Sequence, residues 1–569
     1  MTKVLFYNVN FVDDMPNITF TPLAFILLEE YLKQHSAVVQ IFRYDFIVDQ
    51  KDATEFDDYY MYDIIGFQLT YSNAEIIFEL LNKWKKLNKK PFIVFGGVLA
   101  TAVAFELIQK YSLIDAIVVG EGEHSFFMLT QYIKGAKKLD DIPGIVFRNE
   151  ENKPVYNKTK SIIDLSQTNI PKRSFFQALP KSEIQKNSIR IQSARGCLGR
   201  CTFCLNSYKN RLDKLSKVWR AMPPERVVEE IEYLYNEFGV KLINFVDPTF
   251  EDPGKKGKLR IEKIANLLIQ KDIRISFKTN IRAETFTDED IDLLYFLKKA
   301  GMDFVIIGIE ACTNEELKLL GKNANIATIT KSFYRLSEMD CFTILVGYIP
   351  LHPYTTLETL ELSYNYLYKL RLSYAFHIFR NVLIPLRGTN IYDQLNNEGL
   401  IMNADDLVAI PQFKFKDQRI SFVNDAIQKL KINNPVLSHF HQKTLDAYNI
   451  INRSTNRMFK NMLSDSQINS AYVFYKENVR KIFSFLCEEY YLFQKEILTM
   501  AKTKWDNEKF NQLAEERIIK NTILQSKILE DEMSVYINLI NNKGYDITVF
   551  ETKSWGSYCQ NHKKMSTNH

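Results

Sequence analysis

The sequence contains no run of about 18 apolar residues, the length a helix needs to cross a bilayer. It has little net charge: 73 basic against 68 acidic residues leave only +5 over 569 residues. Bulk charge therefore supplies no attraction to nucleic acid, which would need local clustering. Glycine is scarce, at 20, and proline stands at 16, which excludes collagen-like and low-complexity chains. Seven cysteines are too few for a disulfide-built scaffold of this length. No G-x-G-x-x-G follows the first apolar run, so the dinucleotide fingerprint is missing. The opening MTKVLFYNVNFVDDMPN carries acids and no cleavable hydrophobic core. The expectation is a cytoplasmic protein with no membrane and no nucleic-acid partner.

What is present is an ordinary globular composition, 46% hydrophobic and 25% charged. At about 150 residues per domain the chain holds three or four. Residues 1–150 alternate short apolar runs (VLFYNV, DIIGFQLT, PFIVFGG, DAIVVGEGE) with helical patterns such as AEIIFELLNKWKKL. That rhythm predicts a parallel sheet covered on both faces, with ligands outside the carboxyl ends of its strands. GIVFRNEENKPVYN (144–157) predicts a hairpin, and 151–186 reads as a linker.

Residues 187–400 alternate again, with strands expected at 188–196, 241–247, 273–280, 303–310, 341–349 and 374–384. Six strands each followed by a helix suit a partial or full β/α barrel, with an open doubly wound sheet as the alternative. Residues 401–569 lose the strand signal and read as a helical C-terminal domain. Tyr and Phe at helical spacing there predict core. His439 and His441 read as surface or packed side chains, and Cys487 and Cys559 as unreactive.

The strongest motif is Arg195-Gly-Cys197-Leu-Gly-Arg-Cys201-Thr-Phe203-Cys204, a C-x3-C-x2-C directly after a strand. Thiolates suit iron–sulfur clusters or zinc. A structural zinc site wants four closed ligands, and the nearest histidines are His124 and His352. Three thiolates would leave one metal position open. A zinc knuckle borrowing a remote ligand is the competing reading.

This segment resembles the radical S-adenosylmethionine (radical SAM) superfamily, whose motif is C-x3-C-x2-C with an aromatic before the last cysteine, here Phe203. The resemblance extends over 187–400, through KLINFVDPTF, FKTNIRAETF, AGMDFVIIGIEACTNEELKLLGK, VGYIPLHPYTTLE and IPLRGTNIYDQLNNEGL. It implies a central partial (β/α)6 barrel in which Cys197, Cys201 and Cys204 hold a [4Fe–4S] cluster. S-adenosylmethionine would chelate the open iron and yield a 5′-deoxyadenosyl radical on reduction. Phe203 would meet the adenine. Asp247, Arg282 and Glu310 would serve the amino group, carboxylate and ribose. The family's glycine-glycine-glutamate motif is replaced by VDPTF.

The N-terminal segments DIIGFQLTYSN, IVFGGVLAT and DAIVVGEGEHSF resemble the cobalamin-binding domain fused ahead of many radical enzymes. The resemblance implies a Rossmann-like fold and carries over Gly66, Gln68, Thr70, Ser72, Gly96, Gly97, Gly120 and Glu121 as cobalamin contacts. The ligating pattern Asp-x-His-x-x-Gly is absent, so the cobalt would lack a protein imidazole. Methylthiotransferases resemble the barrel too, but their N-terminal domain carries cysteines and residues 1–196 have none. The resemblance implies a cobalamin-dependent radical methyltransferase acting on a small molecule or peptide, with flavodoxin or ferredoxin as electron donor. A radical cyclase without methyl transfer and a non-catalytic cobalamin or iron–sulfur binding protein are the alternatives. Hydrogen abstraction by a cofactor radical needs no acid–base pair, and none is assigned.

Overall fold

The computed structural model describes residues 2–10, 22–35, 39–47, 58–84, 90–159, 162–207, 218–459 and 461–550. Cys559 and the segment 11–21 after the first strand lie outside the described residues. Two compact units result: residues 1–180, 203–230 and 384–412 form one, and residues 181–202, 231–383 and 413–569 the other.

The first unit is built on a seven-stranded sheet. Its strands are β1 (Thr2–Asn10), β2 (Val39–Ile47), β3 (Ile64–Gln68), β4 (Phe92–Gly96), β5 (Ala116–Val118), β6 (Ile145–Arg148) and β7 (Pro154–Asn157). The order is β2-β1-β3-β4-β5-β6-β7. The first five run parallel, and the expected hairpin β6–β7 adds antiparallel to β5. Alternate side chains leave a strand on opposite faces. Thus Leu5, Tyr7, Ile65, Phe67, Ile93 and Phe95 join one core, and Val4, Phe6, Ile64, Val94 and Ala116 another. Helix Ala74–Trp84 covers the first face through Ile77, Leu80, Leu81 and Trp84. Helices Leu23–His35 and Glu123–Ile133 cover the second through Phe25, Leu32, Phe126 and Leu129. Near-continuous apolar strands are the consequence of two buried faces. Strand order reverses between β1 and β3, and in open parallel sheets the carboxyl ends at such a reversal are where ligands bind. The helix expected over 98–111 is two, Val98–Ala102 and Ala104–Lys110. The buried Val103 between them leaves helical geometry at ψ 33°.

In the second unit β8 (Ile189–Ile191) and β9 (Ala194–Gly196) are short; β10 (Trp219–Ala221) belongs to a segment of the first unit. Then come β11 (Leu242–Phe245), β12 (Ser276–Arg282), β13 (Met302–Glu310) and β14 (Thr343–Tyr348). The sheet order is β8-β11-β12-β13-β14, all parallel. An order that never reverses is that of an arc of a β/α barrel; a doubly wound sheet would switch direction. The sixth strand, expected at 374–384, is different. Phe376–Phe379 makes one helical turn, and Val382 keeps only an isolated parallel bridge to Leu351. The ring-rich run Phe376, Ile378, Phe379 is buried as a turn rather than as a strand.

Helices Gln418–Asn433, Pro435–Ser454, Ser466–Lys502, Asn507–Leu513 and Lys520–Asn542 complete this unit. Asp465 caps the longest by accepting from the backbone N–H of Gln467 and Ile468. Tyr475, Val479, Ile482, Phe483, Leu486 and Tyr490 recur three and four apart along it, all buried. Helix Pro435–Ser454 packs on the sheet itself: Leu445 meets Phe304, Ile306 and Leu345. Asn452 Nδ2 donates to Thr343 Oγ1 at 2.9 Å.

Candidate functional site

The cysteine loop leaves β9 through Gly196, whose φ is +87°. Cys197, Cys201 and Cys204 are all partly exposed and outside any disulfide. Gly199 lies over the first two. Its N–H points to Cys197 Sγ at 3.2 Å, and a β-carbon there would stand 3.3 Å from that sulfur and 3.8 Å from Cys201 Sγ. The loop is moored to the turn after helix Asn314–Leu319. Thr202 N donates to Leu320 O (2.9 Å), and Thr202 Oγ1 to Leu319 O (3.0 Å). Gly321, at φ +65°, makes this approach possible, because a β-carbon would lie 2.7 Å from Arg200 O. Phe203 and Cys204 begin the segment grouped with the first unit; both are partly buried, and Asn206 Nδ2 lies 3.8 Å from Cys204 Sγ. Among the described residues, no three His, Cys, Asp or Glu side chains gather closely enough to grip one metal ion. Three thiolates within one loop of eight residues are a donor set that suits an iron–sulfur cluster.

Asp247 departs from its expected place on the ligand. It is fully buried, and Oδ1 accepts from Ser193 N (2.7 Å) and Ala194 N (3.0 Å). Oδ2 takes the Ser193 hydroxyl, which also receives Arg260 Nη1 at 3.0 Å. Burial raises the Asp247 carboxyl, and the nearby Arg260 guanidinium opposes that rise. Asp247 thus fastens the chain just before the cysteine loop.

Arg282 and Glu310 come together in one polar arc at the carboxyl ends of β12 and β13. Arg282 Nη2 lies 3.2 Å from Asp252 Oδ1, and its Nε lies 3.7 Å from Glu284 Oε1. Lys322 Nζ lies 3.9 Å from Glu284 Oε2 and 4.0 Å from Glu310 Oε1, and donates to Gly308 O at 2.8 Å. Glu251 is buried behind them. One of its oxygens accepts from Arg282 N at 3.0 Å, while Oε2 has no hydrogen-bond partner. Burial pushes the Glu251 carboxyl up to about 7, with the Asp252 charge adding to the rise. Burial raises Glu310 also, against the pull of Lys322. The arc sets the carboxyls of Asp252, Glu284 and Glu310, with Glu251 only half ionised at neutral pH, against the cations Arg282 and Lys322, an excess that favours a positively charged ligand. Sequence reasoning missed Glu251, Asp252, Glu284 and Lys322. Glu284 and Lys322 lie in segments already singled out, FKTNIRAETF and the one ending Leu319-Leu-Gly-Lys322, which offered the signal.

In the first unit the carried-over residues gather at strand ends with one exception. Gln68 ends β3 and Gly96 ends β4; Leu69 N donates to Gly96 O at 2.9 Å. Nothing stands within 4 Å of a β-carbon built on Gly96. Gly97, at φ +95°, presses on Leu69 O, 3.2 Å from its β-carbon position. Gln68 Oε1 is buried with no hydrogen-bond partner. Thr70 Oγ1 and Ser72 Oγ share a hydrogen bond of 2.9 Å, and Asn73 Oδ1 accepts from Thr70 N at 2.8 Å. Gly120 N donates to Thr101 Oγ1 at 3.2 Å, and Glu121 is ion-paired to Arg220. An open glycine cradle beside an orphaned amide oxygen, at the carboxyl ends of parallel strands, fits a bound cofactor. The exception is Gly66. It lies inside β3, where a β-carbon would stand 3.2 Å from Phe6 and 3.3 Å from Phe126, so its smallness serves sheet packing. His439 is exposed and His441 buried; Cys487 is buried in the helical part.

With this geometry in place, comparison with known proteins is informative. Residues 191–367 match the profile of the Radical SAM superfamily. An uncharacterized methyltransferase of Pyrococcus horikoshii is 28% identical over 379 residues, 65% of this chain and 76% of that protein. The anaerobic magnesium-protoporphyrin IX monomethyl ester cyclase of Synechocystis is 27% identical over 294 residues, 49% of this chain and 54% of that protein. The chain thus spans about three quarters of the first relative and about half of the second. Among solved structures, the cobalamin-dependent S-adenosylmethionine radical enzyme OxsB, with aqua-cobalamin and S-adenosylmethionine bound, aligns with a TM-score of 0.65 at 17% identity. That alignment covers 97% of this chain and 83% of OxsB. No described helix is long and apolar enough to cross a membrane. Residues 191–367 are therefore a radical SAM domain, set in a fold like that of OxsB.

Proposed function

We propose that this protein is a cobalamin-dependent radical SAM enzyme, and that its reaction is methylation of an unactivated carbon in a natural product or peptide. The observation that carries the reading is the carboxyl-rich arc Glu251–Asp252–Arg282–Glu284–Lys322–Glu310, in the same unit as the Cys197–Cys201 loop. S-adenosylmethionine brings a sulfonium and an ammonium, the cations such an arc lacks. Cys197, Cys201 and Cys204 would hold the [4Fe–4S] cluster, Glu310 the ribose, and Arg282 the methionine carboxylate. Gln68, Thr70, Ser72, Gly96, Gly97, Gly120 and Glu121 would cradle cobalamin in the 1–150 domain. When bound, the cluster and S-adenosylmethionine supply hydrogen abstraction and cobalamin supplies the methyl group. The chain's own task is to orient these groups and exclude water. Gly199 and Gly321 let the loop lie close, Asp247 fixes its start, and Lys322 holds the Glu310 carboxylate in place.

Cyclisation without methyl transfer is the second reading, favoured by the similarity to the magnesium-protoporphyrin cyclase. Retention of all three cluster cysteines and Glu310 speaks against a non-catalytic binding protein. Clustered thiolates suit a reducing compartment, which supports a cytoplasmic protein with flavodoxin or ferredoxin as electron donor. Anaerobic reconstitution with iron, sulfide and hydroxocobalamin, followed by metal analysis, tests the reading. Roughly four irons and one cobalt per chain, with cleavage of S-adenosylmethionine on reduction, are expected. Iron without cobalt would end the methyl-transfer assignment.

A further inference from the structure

His377 and His441 are separated by 63 intervening residues, yet their rings stack at 3.3 Å between centroids and 29° between planes. They bound a small internal cavity of about 30 Å³, whose wall includes Leu345, Tyr374, Thr444 and Tyr448. That volume is room for a water or one small polar group. Both ring nitrogens of His377 and Nε2 of His441 are buried with no hydrogen-bond partner. A neutral imidazole carries one donor and one acceptor. Three such atoms left unpaired in one cavity are costly, and native interiors rarely tolerate them without a partner. Burial, with Arg380 nearby, keeps both rings neutral, and His441 is driven down to about 3. The cavity wall has no carboxylate and no thiol, so nothing there balances a metal dication.

The cavity borders the strand next to the one that carries Glu310: Ile344, Leu345 and Val346 of β14 line it. Gly347 pairs with Gly308 and Leu345 with Ile306, so these four residues share one face of the sheet. On that face a β-carbon at Gly347 would stand 3.5 Å from Glu310 Oε2. Leu345, in the cavity wall, lies two residues earlier on β14, about 7 Å along the strand. Leu445 of helix Pro435–Ser454 packs on the same face.

We infer that this cavity is the inner end of the substrate pocket, where His377 and His441 recognise an uncharged hydrogen-bonding end group, a carbonyl, hydroxyl or carboxamide. The inference rests on the radical SAM reading for the word substrate, but not for the binding itself. Two neutral rings offer donors and acceptors, and the surrounding Leu, Phe and Tyr side chains accept the apolar body to which that group is attached.

The test uses the full-length protein, labelled with 15N-histidine, and acetamide as the probe. Acetamide is expected to shift the ring-nitrogen signals of two of the eight histidines. His377→Phe and His441→Phe each abolish that response, because phenylalanine keeps the stack and removes the nitrogens. Both variants are expected to melt no lower than the wild type and to take up iron normally, since each deletes a group with no partner. Unmoved histidine signals would overturn the inference. So would a lower melting temperature in both variants, which would mark the rings as a structural, water-bridged pair. Acetamide binding needs neither cofactor, whereas the proposed activity is read by S-adenosylmethionine cleavage in the wild type. Failure of one is therefore distinct from failure of the other.

Discussion

The Glu310 carboxylate occupies the space that a side chain on Gly308 would fill: a β-carbon there would stand 2.3 Å from Oε1. Lys322 Nζ closes the other side, 3.1 Å from the same β-carbon position. Glu310 reaches this place from a backbone φ of +71°, just past a register shift between Gly308 and Glu310 against β14. A left-handed non-glycine residue next to a β-bulge is a strained device for aiming one side chain.

Gly308→Ala should therefore displace the carboxylate without unfolding the sheet, because the clashing atoms are ends of flexible side chains. The affinity for S-adenosylmethionine should fall at least about tenfold, or about 1.4 kcal/mol, with an unchanged melting curve. Isothermal titration on the reconstituted enzyme reads the first and calorimetry the second.

Cys201→Ala should lose the visible absorbance and the iron of the reconstituted protein, along with all S-adenosylmethionine cleavage. Cys487→Ala, in the buried helical core, should keep its iron. Equal iron in the two variants would remove the cluster from the C-x3-C-x2-C loop.

Asp247→Ala leaves the N–H groups of Ser193 and Ala194 without their acceptor in a buried site. The expected loss of stability is about 1–3 kcal/mol per unsatisfied group, with reduced iron uptake although Asp247 touches no iron ligand. Asp247→Asn keeps one acceptor oxygen and should recover part of both. Normal iron retention in Asp247→Ala would deny the positioning role.

Glu251 gives a pH signature. Its folded carboxyl is raised from the usual 4.5 to about 7 by burial, so the native state binds the proton more tightly than the unfolded chain. Stability should then fall as pH rises from about 4.5 to about 7 and stay reduced above it. A shift of that size corresponds to roughly 3 kcal/mol. Glu251→Gln should flatten this part of the profile and stabilise the protein most above pH 7, as measured by denaturant unfolding across pH. A parallel profile in the variant would refute the assignment.

Gly97→Ala should cost roughly 1–3 kcal/mol, because φ +95° with ψ −179° is a backbone essentially reserved for glycine, and push on Leu69 O. Cobalamin retention after desalting should drop while iron content holds. Gly66→Ala should instead lower stability, through Phe6 and Phe126, before it affects cobalamin.

The sequence by itself determined the order of elements, the two sheet-forming halves and the helical end, because periodicity is a local property that burial on one or two faces imposes. It also determined the cysteine loop, whose three cysteines lie within eight residues. The sixth strand at 374–384 misled, since an apolar, aromatic run buries equally well as a turn of helix. Tertiary structure alone decided which polar residues meet. Asp252 follows β11, Arg282 and Glu284 stand at the end of β12, and Glu310 and Lys322 at and beyond the end of β13, and only parallel strands in sequential order bring these ends to one edge. The same applies to Asp247, read as a ligand contact but spent on the backbone of Ser193 and Ala194, and to His377 and His441. Contacts of that range depend on strand register and helix packing, and neither leaves a spacing in the chain.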